Sequence, residues 1–222
     1  MKIETACTSI LVGKNASIDG STMIARNDDT FHVLAPHRFY MHPAWHGEKG
    51  LTVTSPLNGF KAPLPENGYR YNAVPNVDRE HLGDYEESGI NAQNVAMSAT
   101  ESTYGNERTL AFDPLVEDGL DEDLIVNMVL PFIESARHGV EYLGQLIKQY
   151  GSPAGNSVLF FPTRITSGTW KSSPVTTGSP SAFPTTLMPW PLTRWRFNKS
   201  TLRIRITSSG ATAFKTSLRL TT

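Results

Sequence analysis

The chain has 222 residues, 39% apolar and 9% aromatic, which is enough for a packed core in one large domain or two small ones and excludes disorder over the full length. No apolar run approaches the ~18 residues of a membrane-spanning helix, so no membrane segment is expected. A formal net charge of −1 makes the whole chain neither a nucleic-acid binder nor a binder of acidic surfaces.

The opening residues, Met1 to Cys7, make no signal peptide, because Glu4 stands early and Ile10-Leu11-Val12 is too short for its apolar segment. A lipid-modified Cys7 would need an apolar residue where Glu4 stands. The expected location is the cytoplasm. Cys7 is the single cysteine, which excludes an intrachain disulfide and any zinc site needing two thiolates, and fits a reducing compartment.

Thr8–Val12 alternates and is rich in β-branched residues, so it reads as a strand. Gly13–Gly20 is dense in turn formers, and Ser21–Asn27 reads as a second strand, which together make an N-terminal hairpin. His32–Met41, Leu51–Thr54, Tyr69–Val74 and Asn94–Thr100 are further strand candidates, and Gly59–Gly68 reads as a turn-rich segment. Helices come late. Asp121-Glu122-Asp123 suits a helix start, with Leu124, Ile125, Met128, Val129 and Phe132 following at helical spacing and Pro131 bending or ending the helix. Ser135 starts a second helix with Val140, Leu143, Leu146 and Ile147 on one face and Gly151 as its stop. Strands first and helices after give an α+β layered domain.

The near-zero net charge hides a division. All 21 acidic residues lie between Glu4 and Glu141, so residues 1–160 carry −10, while residues 161–222 hold nine Lys and Arg, no acid, and a charge of +9. The tail also holds six of the 15 prolines and three of the four tryptophans. A disordered basic arm is one reading, but Trp170, Trp190, Trp195, Phe183 and Phe197 are many aromatics for a solvated arm. A small β domain is another, but prolines 180, 184, 189 and 191 are expected to break any useful strand or helix. A third is translation out of frame. Thr166–Pro174 can be encoded so that the neighbouring frame reads Ile-Trp-Tyr-Met-Glu-Ile-Val-Thr, and the text continues through Pro184 as Gly-His-His-Trp-Val-Ala-Gln-Arg-Ile-Pro-Asp, with alternation and acids restored.

For chemistry, Cys7 has two readings: a small buried thiol, or an N-terminal nucleophile. If residues 1–6 are removed, Cys7 carries both a thiol and a free α-amine, and an amine titrating near ~7.7–8.0 can take the thiol proton. Ala25-Arg26-Asn27-Asp28-Asp29 ends the second strand, and a hairpin can bring it beside Cys7. There Arg26 would lower the thiol's pKa and a carboxylate could orient the amine; the other reading is a charged surface turn. Of the six histidines, His42 and His46 are four apart, but Pro43 argues against the helix that a metal pair would need. Gly151–Gly155 lacks the lysine and spacing of a phosphate loop, and Tyr69-Arg70-Tyr71 packs a strand better than it binds nucleic acid.

Residues 6–14, Ala-Cys-Thr-Ser-Ile-Leu-Val-Gly-Lys, with Ala16–Asn27, Gly89–Ser102 and Tyr150–Ser157, resemble the C69 family of cysteine dipeptidases, the dipeptidase A type of lactic acid bacteria. The likeness runs from Met1 to Phe160. It implies an N-terminal-nucleophile hydrolase with an αββα sandwich, no metal, no cofactor, and cleavage of dipeptides of broad side-chain range. The wider superfamily of penicillin and bile-salt acylases has a Cys followed by Arg-Asn-x-Asp, which Arg26–Asp29 matches. That makes Cys7 the nucleophile, Arg26 a pocket and thiolate-stabilising residue, and Asp29 the partner of the amine. An oxyanion-hole asparagine expected near Ser98–Thr100 is missing, so a backbone N–H or a hydroxyl would serve.

The shifted-frame text also resembles that family's continuation. The expected division is therefore a propeptide at 1–6, the N-terminal part of the hydrolase domain at 7–160, and an out-of-frame, poorly ordered tail at 161–222. The sandwich would be incomplete and this truncated chain inactive, while full-length members would be homo-oligomers. An acylase acting on N-acyl amides is the alternative activity. A non-enzymatic fragment with a basic arm for nucleic acid or an acidic partner is the alternative class.

Overall fold

In the computed structural model the described residues are 5–13, 16–30, 35–103, 107–162, 167–172, 178–183, 201–207 and 215–221. They are mixed helix and antiparallel sheet, the α+β class expected from the order of elements, and they fall into two units, Met1–Leu187 and Met188–Thr222. Among these residues no helix is long and apolar enough to cross a membrane.

The N-terminal hairpin forms as its alternation dictates. β1 (Thr5–Val12) pairs antiparallel with β2 (Met23–Thr30), in a register that sets Cys7 opposite Asp28, Ser9 opposite Arg26 and Ala6 opposite Asp29. Because side chains alternate along a strand, this register gathers Cys7, Arg26 and Asp28 on one face.

The hairpin packs on the central strand of a seven-stranded antiparallel sheet. Its order is β11 (Gly178–Phe183), β10 (Ser167–Ser172), β9 (Gly155–Pro162), β8 (Val95–Thr103), β7 (Ser88–Asn91), β6 (Tyr71–Ala73) and β3 (Tyr40–His42). β4 (Thr52–Thr54) and β5 (Lys61–Pro63) form a small ribbon of their own, so the segment 59–68 is not only turn. β7 escaped the sequence reading because a Ser-Gly-Ile-Asn tetrapeptide has no alternation to show. Gly89 explains its composition: a Cβ there would sit 1.9 Å from the Asn72 carbonyl oxygen on the paired strand, so only glycine allows that approach.

Two short helices, α1 (Arg79–Leu82) and α2 (Glu107–Phe112), were not foreseen either. The two longer ones were. α3 (Glu122–Val129) starts at the Asp121 cap, whose carboxylate accepts from the Glu122 N–H at 2.8 Å, and it is buried all round. It gives way to a 3-10 turn at Leu130–Phe132, where Pro131 removes the next helical donor. α4 (Ala136–Tyr150) starts at Ser135, whose hydroxyl accepts from the His138 N–H at 3.1 Å, and stops at Gly151, φ 69°. Its inner face is Ala136, Gly139, Val140, Leu143, Leu146 and Ile147. These residues, with Leu124, Ile125, Met128, Val129, Val95, Met97 and Ala99, make the core between helices and sheet.

The expectation that residues 161–222 hold no usable strands is corrected. β10 and β11 extend the sheet, and Pro180 lies on β11, the last strand in the order, where a missing donor breaks no central ladder. In the second unit β12 (Thr201–Thr207) pairs with β13 (Lys215–Thr221), Leu202 opposite Leu220 and Ile204 opposite Leu218. That stretch does alternate apolar and polar residues. Trp190, Trp195 and Phe197 lie outside the described residues, as do residues 1–4 of the expected propeptide.

Candidate active site

The site is built around the Arg26 guanidinium, whose side chain is only 5% exposed. Nη2 donates to Cys7 Sγ at 2.9 Å and also pairs closely with Asp28. Nη1 donates to the Ala99 carbonyl of β8 at 2.8 Å and lies 3.1 Å from Glu87 Oε2 and 3.7 Å from Glu122 Oε1. Cys7 Sγ is 3.8 Å from Asp28 Oδ1. One planar fork thus joins the hairpin, the central strand, the entry to β7 and the start of α3.

Each carboxylate is held by a different local cause. Asp28 follows from the pleat of β2. Glu122 is the first residue of α3, where the helix N-terminus favours negative charge. Glu87 stands at φ 59°, two residues after Tyr85 at φ 40°. Two non-glycine residues in the left-handed region of one short segment mark strained backbone of the kind that the surrounding structure must enforce. His37 completes the group. Its Nδ1 donates to the Val74 carbonyl at 2.9 Å, and its Nε2 faces Asp28 Oδ2 at 3.8 Å.

Burial and charge excess set the electrostatics. Burial pushes the Cys7 thiol up to about 12; Arg26 opposes this, and Glu122, Asp28 and Glu87 add to it. The expected lowering by Arg26 is present but overruled by desolvation and by three acids. Burial also pushes Glu87 up to about 8, against Arg26 and with Asp28 and Glu122. Arg26 itself is held charged by Glu87, Cys7, Glu122 and Asp28 although burial opposes it.

Of the residues expected from the sequence, Cys7 and Arg26 meet in direct contact. Asp29 lies opposite Ala6 in the register, and its side chain is outside the described residues. The sequence reading assigned no role to Glu87, Glu122 or His37. Their only local signal is a helix start at Glu122, because the other contacts depend on tertiary packing. Near the position expected for the oxyanion asparagine, the Ala99 carbonyl is taken by Arg26, and the Ser98 hydroxyl is fully buried without a partner. Ligand-type atoms of Asp28, His37 and Glu87 all lie within 4.8 Å of one another, a grouping able to hold a cation.

A second polar cluster borders a cleft of about 490 Å³ lined by His42, Trp45, Tyr71, Arg79, Asp84 and Asn127 among others. Here Arg79 Nε donates to Asp84 Oδ1 at 2.5 Å, Asn127 Nδ2 donates to Asp84 Oδ2 at 2.7 Å, and His42 Nε2 is 2.5 Å from Glu86 Oε1.

Residues 6–164 match the model described as Peptidase family C69. Over 156 residues the chain is 54% identical to a "Probable dipeptidase" of Latilactobacillus sakei, which covers 70% of this chain and 33% of that protein. It is 48% identical over 165 residues to a "Probable dipeptidase B" of Lactococcus lactis subsp. lactis, covering 72% and 34%. It is 40% identical over 168 residues to a "Dipeptidase" of Bifidobacterium longum, covering 70% and 31%. The chain spans about a third of the length of these curated relatives.

Proposed function

The chain belongs to peptidase family C69, and from that premise we propose that it carries the nucleophile-bearing part of a cysteine dipeptidase with an N-terminal-nucleophile αββα fold. The observation that carries this reading is the Arg26 fork on the Cys7 sulfur, at the seventh residue of the chain. Relatives named as dipeptidases support peptide hydrolysis over other uses of the thiol.

In the proposed mechanism residues 1–6 are removed first. While they are attached, Cys7 has no free amine and its buried thiol is held protonated, up to about 12. Removal creates an α-amine on the nucleophile itself, with Asp29 as its partner. The amine takes the thiol proton, and the thiolate attacks the scissile carbonyl, forming a C–S bond. The peptide C–N bond breaks, the proton passes to the leaving nitrogen, and the C-terminal amino acid departs. Water, deprotonated by the same amine, then hydrolyses the thioester and frees the N-terminal amino acid. Arg26 holds the sulfur's negative charge between these steps.

We further propose that residues 161–222 are read out of frame. The shifted-frame text and the family match ending at residue 164 support this, and a chain so altered would be inactive. Resequencing the codons around 158–165 tests it: a one-base correction opening onto Trp-Tyr-Met-Glu supports it, and an intact gene refutes it. For the chemistry, Cys7→Ala in an active preparation should remove dipeptide hydrolysis, and mass spectrometry of that preparation should show an N-terminal cysteine. Hydrolysis that survives Cys7→Ala, or an active protein still starting at Met1, overturns the mechanism. Comparing free dipeptides with N-acyl amino acids separates dipeptidase from acylase.

A further inference from the structure

Among the described residues, acids outnumber cations around the Cys7 sulfur. One guanidinium faces three carboxylates, of Asp28, Glu87 and Glu122. His37 Nδ1 donates to the Val74 carbonyl, and its Nε2 lies 3.8 Å from Asp28 Oδ2. Atoms of Asp28, His37 and Glu87 lie within 4.8 Å of one another beside the nucleophile, and the proton that burial keeps on Glu87 up to about 8 is one that an arriving cation can displace.

We propose that this trio binds the free α-ammonium of the substrate's first residue, which makes Glu87 and His37 specificity-determining residues for unblocked dipeptides. The inference rests on the dipeptidase reading of Cys7. The setting selects an ammonium: the trio borders the nucleophile, where a dipeptide's first nitrogen arrives, and the three N–H donors of an ammonium suit acceptors on several side chains.

The chemistry of the site gives the ammonium a reason to be there. Arg26 Nη2 touches the sulfur and Nη1 touches Glu87, so a single guanidinium spans the nucleophile and the acid. In a dipeptide the first nitrogen is two bonds from the carbonyl under attack, so a substrate seated on Cys7 carries its ammonium toward these acceptors. Among the described residues the site sets one guanidinium against three carboxylates, so its charge calls for a cation. An N-acyl substrate would place a neutral amide against buried carboxylates, and sites built to pair a polar group reject analogues that lack it by large factors.

The test measures binding by calorimetry in the frame-corrected protein beginning at residue 7 and carrying Cys7→Ala, which prevents turnover, with Ala-Ala and N-acetyl-Ala-Ala as probes. Ala-Ala should bind at least about tenfold more tightly at neutral pH, because each tenfold in affinity is only ~1.4 kcal/mol and an ammonium–carboxylate contact exceeds that. Its binding should also release protons, read from the dependence of the heat on buffer, as the arriving charge ionises Glu87. Glu87→Gln should remove both the preference and the proton release, and His37→Phe should weaken the preference. Equal binding of the two probes, a preference that survives Glu87→Gln, tighter binding of Zn²⁺ than of Ala-Ala with the same residues required, or no binding of either peptide each overturns the proposal. Hydrolysis of Ala-Ala by the protein with Cys7 in place is scored separately. Cysteine-dependent hydrolysis without preference for the free amine refutes the ammonium subsite alone, and hydrolysis without need of Cys7 refutes the underlying mechanism.

Discussion

Two arginine–carboxylate clusters share the short strained segment Tyr85-Glu86-Glu87, which sends consecutive carboxylates to different places. Glu86 is fully buried beside His42, whose ring stacks on Tyr71 at 4.2 Å, and Arg79 Nη2 stands 4.0 Å away. Glu87 turns to Arg26. Around Arg79 one guanidinium and one imidazole meet two carboxylates, Asp84 and Glu86, and Asn127 adds a donor. Around Arg26 one guanidinium meets three carboxylates and a thiol, with the His37 ring beside Asp28. In the Arg79 cluster the charges come closer to balance, although neither Glu86 oxygen makes a hydrogen bond. Around Arg26, among the described residues, one guanidinium faces three carboxylates, and burial first, then the neighbouring acids, raises the proton affinity of Cys7 and Glu87.

The largest effect that would test this contrast is at Arg26. Arg26→Met should cost about 3–5 kcal/mol of unfolding free energy at neutral pH, because it strands several buried acids around one lost cation. The acids respond by taking up protons, so the cost should shrink as the pH falls toward about 4. Urea unfolding at neutral and acidic pH reads both quantities. A loss below about 1 kcal/mol, or one independent of pH, would mean that Arg26 does not hold this cluster together.

A smaller, pH-limited effect belongs to Glu87. Its ordinary value is 4.5 and burial pushes it to about 8 in the folded chain. Below the lower value the group is protonated in both states and its contribution to stability is fully present. As pH rises the unfolded chain loses the proton first, so that contribution declines and is gone above about 8. Asp123, pushed from 3.8 to about 6 by burial, declines in the same direction but finishes earlier. The interval between about 6 and 8 therefore isolates Glu87. Glu87→Gln should flatten the stability profile there and leave the slope below it largely intact. An unchanged slope between 6 and 8 would show that Glu87 is ionised in the folded chain at neutral pH.

The residues that were legible in the sequence are those with local causes. Asp121 and Ser135 cap α3 and α4 with their own side chains, and the apolar spacing of α4 matches its buried face. Cys7 and Arg26 were legible for the same reason, since a hairpin of alternating strands fixes their register without help from the rest of the chain. Glu87 and His37 were not, because their positions depend on a strained turn and on a carbonyl of another segment. β7 was hidden because Gly89 is demanded by the Asn72 carbonyl across the pair and by nothing nearby in sequence. β11 was missed by weighing Pro180 without knowing that its strand would be the edge, and β12 and β13, which hold no proline, by overlooking their alternation.

The smallest expected effect is at Arg79, and it is the sharpest control for the comparison. This side chain is 39% exposed, its Nε bond to Asp84 is backed by the Asn127 amide on the other oxygen, and Glu86 keeps His42 as its nearest partner. Removing the guanidinium leaves Asp84 bonded to the Asn127 amide and Glu86 beside the His42 ring. Exposed ion pairs are worth only about 0.2–1 kcal/mol because solvent screens them and ordering two long side chains offsets the attraction. Arg79→Met should cost less than about 1 kcal/mol in urea unfolding, several-fold less than Arg26→Met, and its cost should vary little between pH 6 and 8, roughly the interval in which Glu87 titrates. If the two substitutions cost the same, exposure and partner count do not separate the clusters, and the excess charge around Arg26 loses its claim to mark a binding site. If Arg79→Met is cheap while Arg26→Met is costly and pH-dependent, the difference follows from the lone guanidinium that faces three acids.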